Sequence, residues 1–253
     1  MTADQYVAST LAKYAVPRGP QSVTEAIANS LAPSLTQWSN GWLSGPIQFS
    51  GSYAKSTGIK GATDIDLFLS LKSNVPFTLD QIFESLYAWA NERGWNPKRQ
   101  DVSIGISHLG INVDLVPGRR QDTTSAYHSL RRRSGTWTQT NVAKHIQTVT
   151  GSGRLGEIRV LKLWRKLNNI DISSFYLELA TINAVSGRAV GQVAANALYA
   201  MQYLGTHLPN MRIVDPANTN NILSEDYTMQ EKRAIAAAAA AAGRQPYWER
   251  IIW

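Results

Sequence analysis

Residues 51–71, GSYAKSTGIKGATDIDLFLSL, place two aspartates at the start of an apolar strand. Aspartate is depleted in strands, and Asp64 and Asp66, with one residue between them, point to the same face of an extended chain. Carboxylates held this close raise each other's pKa or require a cation between them. The segment therefore predicts a strand that buries Ile65, Leu67 and Leu69 on one face and presents the two aspartates on the other.

A third aspartate stands in a second apolar strand, INVDLVP, which contains Asp114. Three carboxylates on strands of one sheet would repel one another unless divalent metal ions neutralise them, and oxygen ligands of this kind suit Mg²⁺. Two metal ions that share carboxylates can bring an attacking hydroxyl and a nucleoside triphosphate together. The sequence thus predicts Asp64, Asp66 and Asp114 as catalytic metal ligands for two Mg²⁺ ions, for which Mn²⁺ could substitute.

The loop before these aspartates carries phosphate-binding chemistry. Gly51 allows a tight turn and close backbone approach, and Ser52 offers a hydroxyl and an N–H to phosphate oxygens. Lys55 and Thr57 add a positive charge and a further donor on the same loop. The loop has neither the Walker spacing nor the dinucleotide-binding spacing of glycines, so it predicts a nucleotide-binding turn of another kind.

The remaining chain predicts an α+β fold with two lobes. A helix is expected from Thr78, its N-cap, to Gly94, and two strands are expected to form a hairpin near Leu109–Gly110. The runs GRRQD and RRRSGTW scan as basic connectors, and almost everything after residue 140 scans as helix, including one with a capping box at Thr228. We expect a catalytic core with a mixed sheet at 1–135 and a helical lobe at 136–253.

Composition limits the classes of function. The chain has 253 residues, a formal net charge of +7 and no cysteine, which excludes disulfides, thiolate metal sites and cysteine nucleophiles. Its N-terminus lacks the pattern of a signal peptide, and no apolar run reaches the roughly 20 residues that span a bilayer. We expect a soluble cytoplasmic protein without a membrane partner, and the modest basicity suits a polyanionic ligand.

The pattern Gly51-Ser52, then Asp64-Ile65-Asp66, then Asp114 on a later strand resembles the nucleotidyltransferase superfamily of the DNA polymerase β type. Within it, the segment is similar to the branch of oligoadenylate synthetases, cyclic GMP–AMP synthase and the bacterial dinucleotide cyclases (CD-NTases). VLKLWRK and SSFYLELATI resemble two helices of that branch, so the resemblance extends from about residue 45 to about residue 235.

The resemblance implies an enzyme that joins nucleoside triphosphates, as donor and acceptor, into a cyclic or short linear oligonucleotide second messenger with release of pyrophosphate. It implies that Asp64 and Asp66 hold the metals with the donor triphosphate, and that Asp114 holds the second metal and helps to activate the acceptor hydroxyl. Gly51 and Ser52 would grip the phosphates. The remaining nucleotide-binding positions that it implies are Lys162 and Ser174 at the triphosphate and Phe175 on the donor base.

The resemblance also implies that the metal ions and the triphosphate bind in a cleft between the two lobes. It further implies a role in antiphage signalling. We expect no obligatory nucleic-acid activator, because the chain lacks the metal-binding insertions and long basic surfaces of the animal relatives. Base selectivity, linkage, product size and oligomeric state depend on pocket walls and surfaces rather than on a motif.

Two other functions share parts of this pattern. A tRNA CCA-adding or poly(A) polymerase-like enzyme has the same core but needs an RNA-binding region. A nucleotide- or nucleic-acid-binding protein that has lost turnover would have no need of all three aspartates. At single positions the alternatives are structural: Lys55 as a solvated loop charge, Lys162 as a lysine lying along a helix surface, Phe175 as ordinary core, and the four histidines as structural residues.

Overall fold

The computed structural model describes residues 1–62 and 64–253. Its helices are α1 (Ala3–Lys13), α2 (Val23–Ser39), α3 (Gly51–Ala54), α4 (Leu79–Glu92), α5 (Val142–Thr150), α6 (Leu155–Leu167), α7 (Ser174–Ala184), α8 (Val193–His207) and α9 (Met229–Gly243). Its strands are β1 (Gln48–Phe49), β2 (Ile65–Leu71), β3 (Lys98–Arg99), β4 (Ile104–His108), β5 (Ile111–Arg120), β6 (His128–Arg131), β7 (Trp137–Thr140), β8 (Val214–Asp215) and β9 (Asn218–Ile222).

The chain divides by its contacts into two compact units. The sheet unit comprises Pro17–Ala54 and Asp64–His145, and the helical unit comprises Met1–Val16, Lys55–Thr63 and Ile146–Trp253. The chain thus leaves the sheet unit after α3 and returns to it at Asp64. The predicted functional division at 135/136 stays a prediction.

The sheet unit is built on a mixed sheet with the strand order β1-β2-β5-β4-β3, and β6 extends it by pairing with both β5 and β7. β2 and β5 run parallel, whereas β4 and β5 form an antiparallel hairpin. The hairpin turn is the predicted one: Leu109 and Gly110 both have positive φ, 51° and 78°, as a two-residue turn of the primed type requires.

The buried face of β2 confirms the alternation read from the sequence. Ile65, Leu67 and Leu69 are buried in a core with side chains of α2, α4, β4 and β5. On the opposite face the aspartates are followed by Phe68 and Ser70, which are also buried. The face that carries the aspartates is therefore open only at the N-terminal end of the strand.

Helix α4 begins as the sequence predicts. Thr78 accepts a hydrogen bond from the backbone N–H of Gln81, and the Gln81 side chain returns a bond to the backbone of Thr78. This reciprocal capping box satisfies two backbone donors that a helix start leaves unpaired. The second predicted box, at Thr228 and Glu231, is also present.

The two basic runs predicted as connectors differ in the structure. RRRSGTW is a connector, because it forms the turn between β6 and β7 with one strand residue at each end. GRRQD is not, since residues 118–120 are the end of β5 and pair with β6. After α8 the chain also forms the antiparallel pair β8–β9, which the sequence did not indicate. Polar strands of this length lack the apolar alternation on which strand prediction depends.

The helical unit packs α6, α7, α8 and α9 around a shared apolar core to which α1 also contributes. Alanines of α9 allow a close approach to α8. A Cβ at Gly205 would lie 2.8 Å from the Cα of Ala240, so glycine and alanine at this crossing are needed for the two helices to touch. Within the described residues, no helix is long and apolar enough to cross a membrane.

A buried histidine in the sheet unit makes stability depend on pH. His128 Nε2 lies 2.7 Å from Ser70 Oγ, and Nδ1 lies 3.0 Å from the carbonyl oxygen of Ala126. Nδ1–H therefore donates to the carbonyl oxygen, and in the neutral ring Nε2 can accept from the Ser70 hydroxyl. Burial lowers the pKa of His128 below its usual value, against the smaller opposing effect of the Ala126 carbonyl.

Because the folded pKa of His128 is lowered, the unfolded chain takes up the proton first as the pH falls. The stability from the neutral ring is full above the ordinary pKa of about 6.5 and is lost below it. We expect the thermal unfolding midpoint to fall more steeply between about pH 7 and pH 5 in the parent than in His128→Gln. Replacement of His207, an exposed histidine, by glutamine should leave the slope of the parent unchanged; an equal effect of both replacements would contradict the assignment.

Candidate active site

Two of the predicted catalytic aspartates face the same side of adjacent strands. In the parallel pair β2–β5, Asp66 is the register partner of Asp114. Register partners on neighbouring strands project to the same face of the sheet, so the two carboxylates lie side by side. Both are partly exposed. The sequence predicted this face for Asp66, and the register of β2 and β5 brings Asp114 beside it.

Asp64 lies one residue before β2 and is exposed, so it stands at the strand's entrance rather than within it. Its charge acts on Asp114: burial, and then the negative charge of Asp64, raise the pKa of Asp114 to about 6. A like charge disfavours the ionised form of its neighbour. This corner of the sheet therefore concentrates negative charge that a cation would relieve.

Gly51 lies against the carboxylate of Asp66. It has a φ of 55°, and a Cβ added at this position would lie 1.8 Å from Asp66 Oδ2. The backbone N–H of the preceding Ser50 donates to the carbonyl oxygen of Asp66 at 2.8 Å. This hydrogen bond holds the turn from β1 into α3, which carries Gly51 and Ser52, beside Asp66. Only glycine fits at position 51, where the turn contacts the Asp66 carboxylate.

A short chain of hydrogen bonds orients Asp114. Gln100 Nε2 donates to Asp114 Oδ1 at 2.8 Å, and Ser103 Oγ donates to Gln100 Oε1 at 2.8 Å. The second bond fixes which end of the amide faces the carboxylate. Gly105, the register partner of Asp114 on β4, leaves the space that the amide fills, since a Cβ there would lie 2.6 Å from Gln100 Nε2.

Gln100 is therefore expected to act as a positioning residue for Asp114. Replacement by leucine removes the donor at similar size, and we expect a loss of about 10- to 100-fold in nucleotidyl transfer, as is usual for partners of catalytic carboxylates. Pyrophosphate release measures the rate. Gln121→Leu, at an exposed glutamine in the loop after β5, is the control, and a Gln100→Leu rate within twofold of that control would contradict the role.

The same corner opens into a cavity of about 500 Å³. Its lining includes Asp64 and Asp114 together with polar side chains of the β3–β4 region, among them Lys98, Gln100 and Ser107. A polar cavity that begins at the carboxylates has the size and chemistry for a nucleotide rather than for an apolar ligand.

The three aspartates fit a divalent cation in their chemistry. They offer hard oxygen ligands of the kind Mg²⁺ takes, and burial together with the negative charge of Asp64 raises the pKa of Asp114, so a cation beside it would favour its ionised form. In residues 1–62 and 64–253, no three acidic or imidazole side chains already converge as a ready-made metal cage. Asp64, Asp66 and Asp114 are the residues that would hold the ion.

The other predicted nucleotide-binding residues cluster in the helical unit. Lys55 and Lys162 are both buried and both bind the carboxylate of Glu178, at 2.5 Å and 3.0 Å. Thr57 Oγ1 donates to Glu178 Oε1 at 2.6 Å and receives a bond from Lys162 at 3.2 Å. The interpretations of Lys55 as a solvated loop charge and of Lys162 as a surface lysine are therefore wrong.

Phe175 and Ser174 lie at the start of α7, close to this cluster. The Lys55 ammonium lies 4.5 Å from the centroid of the Phe175 ring, and Phe175 packs against the core while remaining partly exposed. Ser174 Oγ accepts a hydrogen bond from Arg165 at 2.9 Å. The structure thus groups Lys55, Lys162 and Phe175, and it sets Ser174 beside a guanidinium.

The two arginine runs flank one hairpin. Arg120 donates to the carbonyl oxygen of Ser125 from both Nε and Nη2, and Arg131 forms an ion pair with Asp80 at 2.9 Å. These two arginines therefore stabilise the β5–β7 extension and its packing on α4.

Sequence reasoning missed Gln100 and Glu178. Glu178 gave a signal, because it stands between two leucines in an otherwise apolar helix, and a charged residue that faces a core needs a partner. Gln100 gave none, since nothing in its neighbours shows that the turn before β4 folds back onto β5.

Comparisons with known proteins bear on the fold of the chain. No protein-family model matches the chain. A curated cyclic AMP–AMP–AMP synthase from Escherichia coli (strain MS 115-1) is 24% identical, over 77% of this chain and 73% of the relative. A structure of the CdnC:HORMA-deltaN complex of E. coli MS115-1 matches 98% of this chain and 96% of its own with a TM-score of 0.73 at 20% identity.

A third comparison extends the agreement. The structure of the CD-NTase CdnG of Bradyrhizobium diazoefficiens in complex with GTP matches 96% of this chain and 91% of its own, with a TM-score of 0.76 at 9% identity. At such identities the structural matches establish the fold. The chain has the nucleotidyltransferase fold of the CD-NTases and is similar in sequence to a curated bacterial cyclic oligonucleotide synthase, which confirms the resemblance that its motifs predicted.

Proposed function

We propose that the protein is a metal-dependent nucleotidyltransferase that joins nucleoside triphosphates into a cyclic or short linear oligonucleotide second messenger. A ribose hydroxyl of the acceptor attacks the α-phosphorus of the donor, a new P–O bond forms, and pyrophosphate leaves. The observation that carries the proposal is the register pairing of Asp66, which Gly51 contacts, with Asp114, which lines a polar cavity together with Asp64.

The carboxylates supply the charge and geometry of the reaction. Asp64, Asp66 and Asp114 would hold two Mg²⁺ ions, which when bound neutralise phosphate charge and lower the pKa of the attacking hydroxyl. Gln100 keeps the Asp114 carboxylate in one orientation. Burial and the negative charge of Asp64 raise the pKa of Asp114 to about 6 when no metal ion is bound, so a metal ion would bind this carboxylate best above that pH.

The Gly51–Ser52 turn would bind phosphates with its backbone. Gly51 has no side chain, so the backbone of Gly51 and Ser52 can approach the phosphates while it stays against Asp66. In the helical unit Lys162 and Lys55 supply positive charge, and Phe175 offers a flat apolar surface of the type that binds bases without regard to their edges. Ser174 and Arg165 are two further polar side chains of the helical unit that we assign to binding of the donor triphosphate.

Relatives guide the choice of substrates. The curated relative is a cyclic AMP–AMP–AMP synthase, and one structural neighbour was solved with GTP, so ATP and GTP are the substrates to try first. Cytoplasmic antiphage signalling is the biological setting that the similarity supports. The assay described below measures the size and linkage of the product and tests whether an activating partner is needed.

The test is incubation of the protein with Mg²⁺ and all four ribonucleoside triphosphates, without RNA, followed by mass spectrometry. We expect a cyclic or short oligonucleotide and stoichiometric pyrophosphate from the parent and neither from Asp64→Ala/Asp66→Ala. Product that appears only after tRNA or another RNA is added would move the assignment to an RNA-tailing enzyme. Nucleotide binding without product under every condition, including added double-stranded nucleic acid, would identify a binding protein.

A further inference from the structure

Four polar side chains form a buried cluster in the helical unit. Lys55 is 6% exposed, Lys162 2%, and Thr57 and Glu178 are 0% exposed. The two carboxylate oxygens of Glu178 are divided between the lysines, since Lys162 binds Oε1 and Lys55 binds Oε2. Thr57 bridges the Lys162 side of this arrangement. We call these residues the Glu178 cluster.

The charges of the cluster do not balance. Two lysines face one glutamate, and Arg165 adds a further positive charge that acts on both Lys162 and Glu178. Burial lowers the pKa of Lys162, and the attraction of Glu178 opposes that effect. Burial alone would raise the pKa of Glu178, but Lys55 and Lys162 together hold it below the usual value. The cluster therefore keeps a surplus of positive charge, which an anion would compensate.

Stability alone explains the cluster poorly. Burying ionised groups has a desolvation cost that their mutual attraction repays only in part, so a buried ion pair is weak evidence for stabilisation. One lysine would suffice to pair Glu178. The second lysine comes from the segment that directly follows the Gly51–Ser52 turn, and its ammonium also touches the ring of Phe175.

We infer that Glu178 is a positioning residue for the donor nucleotide. Its carboxylate fixes the ammonium groups of Lys162 and Lys55, two long side chains that would otherwise sample many rotamers, and through Lys55 it also sets the position of Phe175. The ligand is the triphosphate of a nucleoside triphosphate, with its base on the ring. The inference rests on the proposed function and adds a residue that does not itself touch the substrate.

The test compares Glu178→Gln with a matched control. Glu157 is a second buried glutamate of the helical unit, 1% exposed, and it pairs with Arg154 at 3.3 Å. Both glutamine variants are nearly isosteric and each removes one buried charge. Three quantities are measured: the thermal unfolding midpoint, the Kd for ATP in EDTA by titration calorimetry, and KM and kcat for product formation with Mg²⁺.

We expect both variants to lower the thermal unfolding midpoint, and we expect only Glu178→Gln to weaken the binding of ATP. Its Kd and KM should rise about 10- to 100-fold, the range typical of residues that orient a ligand-binding side chain, with kcat less affected. Glu178→Asp keeps the charge and should restore part of the affinity. Glu157→Gln should leave both constants within twofold of the parent.

Other outcomes distinguish the inference about Glu178 from the proposed function. ATP constants that stay within twofold of the parent in Glu178→Gln, together with a lowered unfolding midpoint, would show a purely structural cluster and overturn the inference while leaving the proposed function intact. If Glu178→Gln does not fold, Lys55→Met provides the same readout, because it removes one of the two held ammonium groups and leaves Glu178 paired. A parent protein that neither binds ATP nor forms product overturns the proposed function and the inference together.

Discussion

Replacement of Asp114 by asparagine is expected to reduce the rate of nucleotidyl transfer by about 1,000-fold. The carboxylate is the register partner of Asp66, and it would contribute to charge stabilisation by metal ions that is worth several kcal/mol. A loss of about 4 kcal/mol corresponds to about three powers of ten in rate. Pyrophosphate release under saturating ATP and Mg²⁺ measures the effect.

The same replacement should not destabilise the fold. The folded pKa of Asp114 is raised to about 6 from an ordinary 3.8, so the contribution of this group to stability is present below the ordinary pKa and is lost as the pH rises through 6. Asparagine stays neutral and avoids that loss. In EDTA the unfolding midpoint of Asp114→Asn should therefore exceed that of the parent at about pH 8 and approach it near pH 4.

A charge-matched control separates catalysis from net charge. Asp80 is an aspartate of α4 whose side chain is 62% exposed and pairs with Arg131. We expect Asp80→Asn to keep at least half of the parent's rate. If Asp80→Asn and Asp114→Asn lose activity equally, or if Asp114→Asn retains a tenth of the rate, the catalytic assignment of Asp114 is wrong.

Replacement of Gly51 by alanine is the second change for which we expect a large effect. The added Cβ would lie 1.8 Å from Asp66 Oδ2, far inside van der Waals contact, so the carboxylate or the turn must move. Displacement of a reacting group by about 1 Å costs on the order of 100-fold in rate. We therefore expect a loss of about 100-fold or more in pyrophosphate release.

Gly51 also has a positive φ, so its replacement adds backbone strain, and two other glycines distinguish the causes. Gly110 has a φ of 78° with nothing within 4 Å of a Cβ, and Gly45 has open space without a positive φ. Gly110→Ala should lower stability by about 1–2 kcal/mol from strain alone and leave the rate unchanged. Gly45→Ala should alter neither. Activity in Gly51→Ala equal to that in Gly110→Ala would refute the proposed clash with Asp66.

Local features of the fold were readable from the sequence because each depends on neighbours along the chain. The capping box at Thr78 needs only two residues three apart, and the turn at Leu109–Gly110 needs only the end of one strand and the start of the next. Alternation of apolar residues likewise identified the buried face of β2. Strands β6 and β7 escaped prediction because their pairing, β6 with β5 and β7 with β6, leaves no apolar pattern in the sequence.

The candidate site divides in the same way. The sequence by itself singled out the candidate residues, since Gly51, Asp64, Asp66 and Asp114 form a pattern whose clustered negative charge calls for a cation. It could not determine the register that sets Asp66 beside Asp114, nor Gln100 as the donor that orients Asp114, because both require strands distant in sequence to be brought together.

Only the tertiary structure shows where Lys55 and Lys162 lie. Lys55 and Lys162 are 107 positions apart in the sequence, and nothing local predicts that both would be buried on the carboxylate of Glu178. Charged groups enter a protein interior only where partners from other segments compensate them. Chemistry local to the sequence therefore indicated the candidate catalytic residues, whereas the packing of distant segments decided which side chains contact them and the lysines.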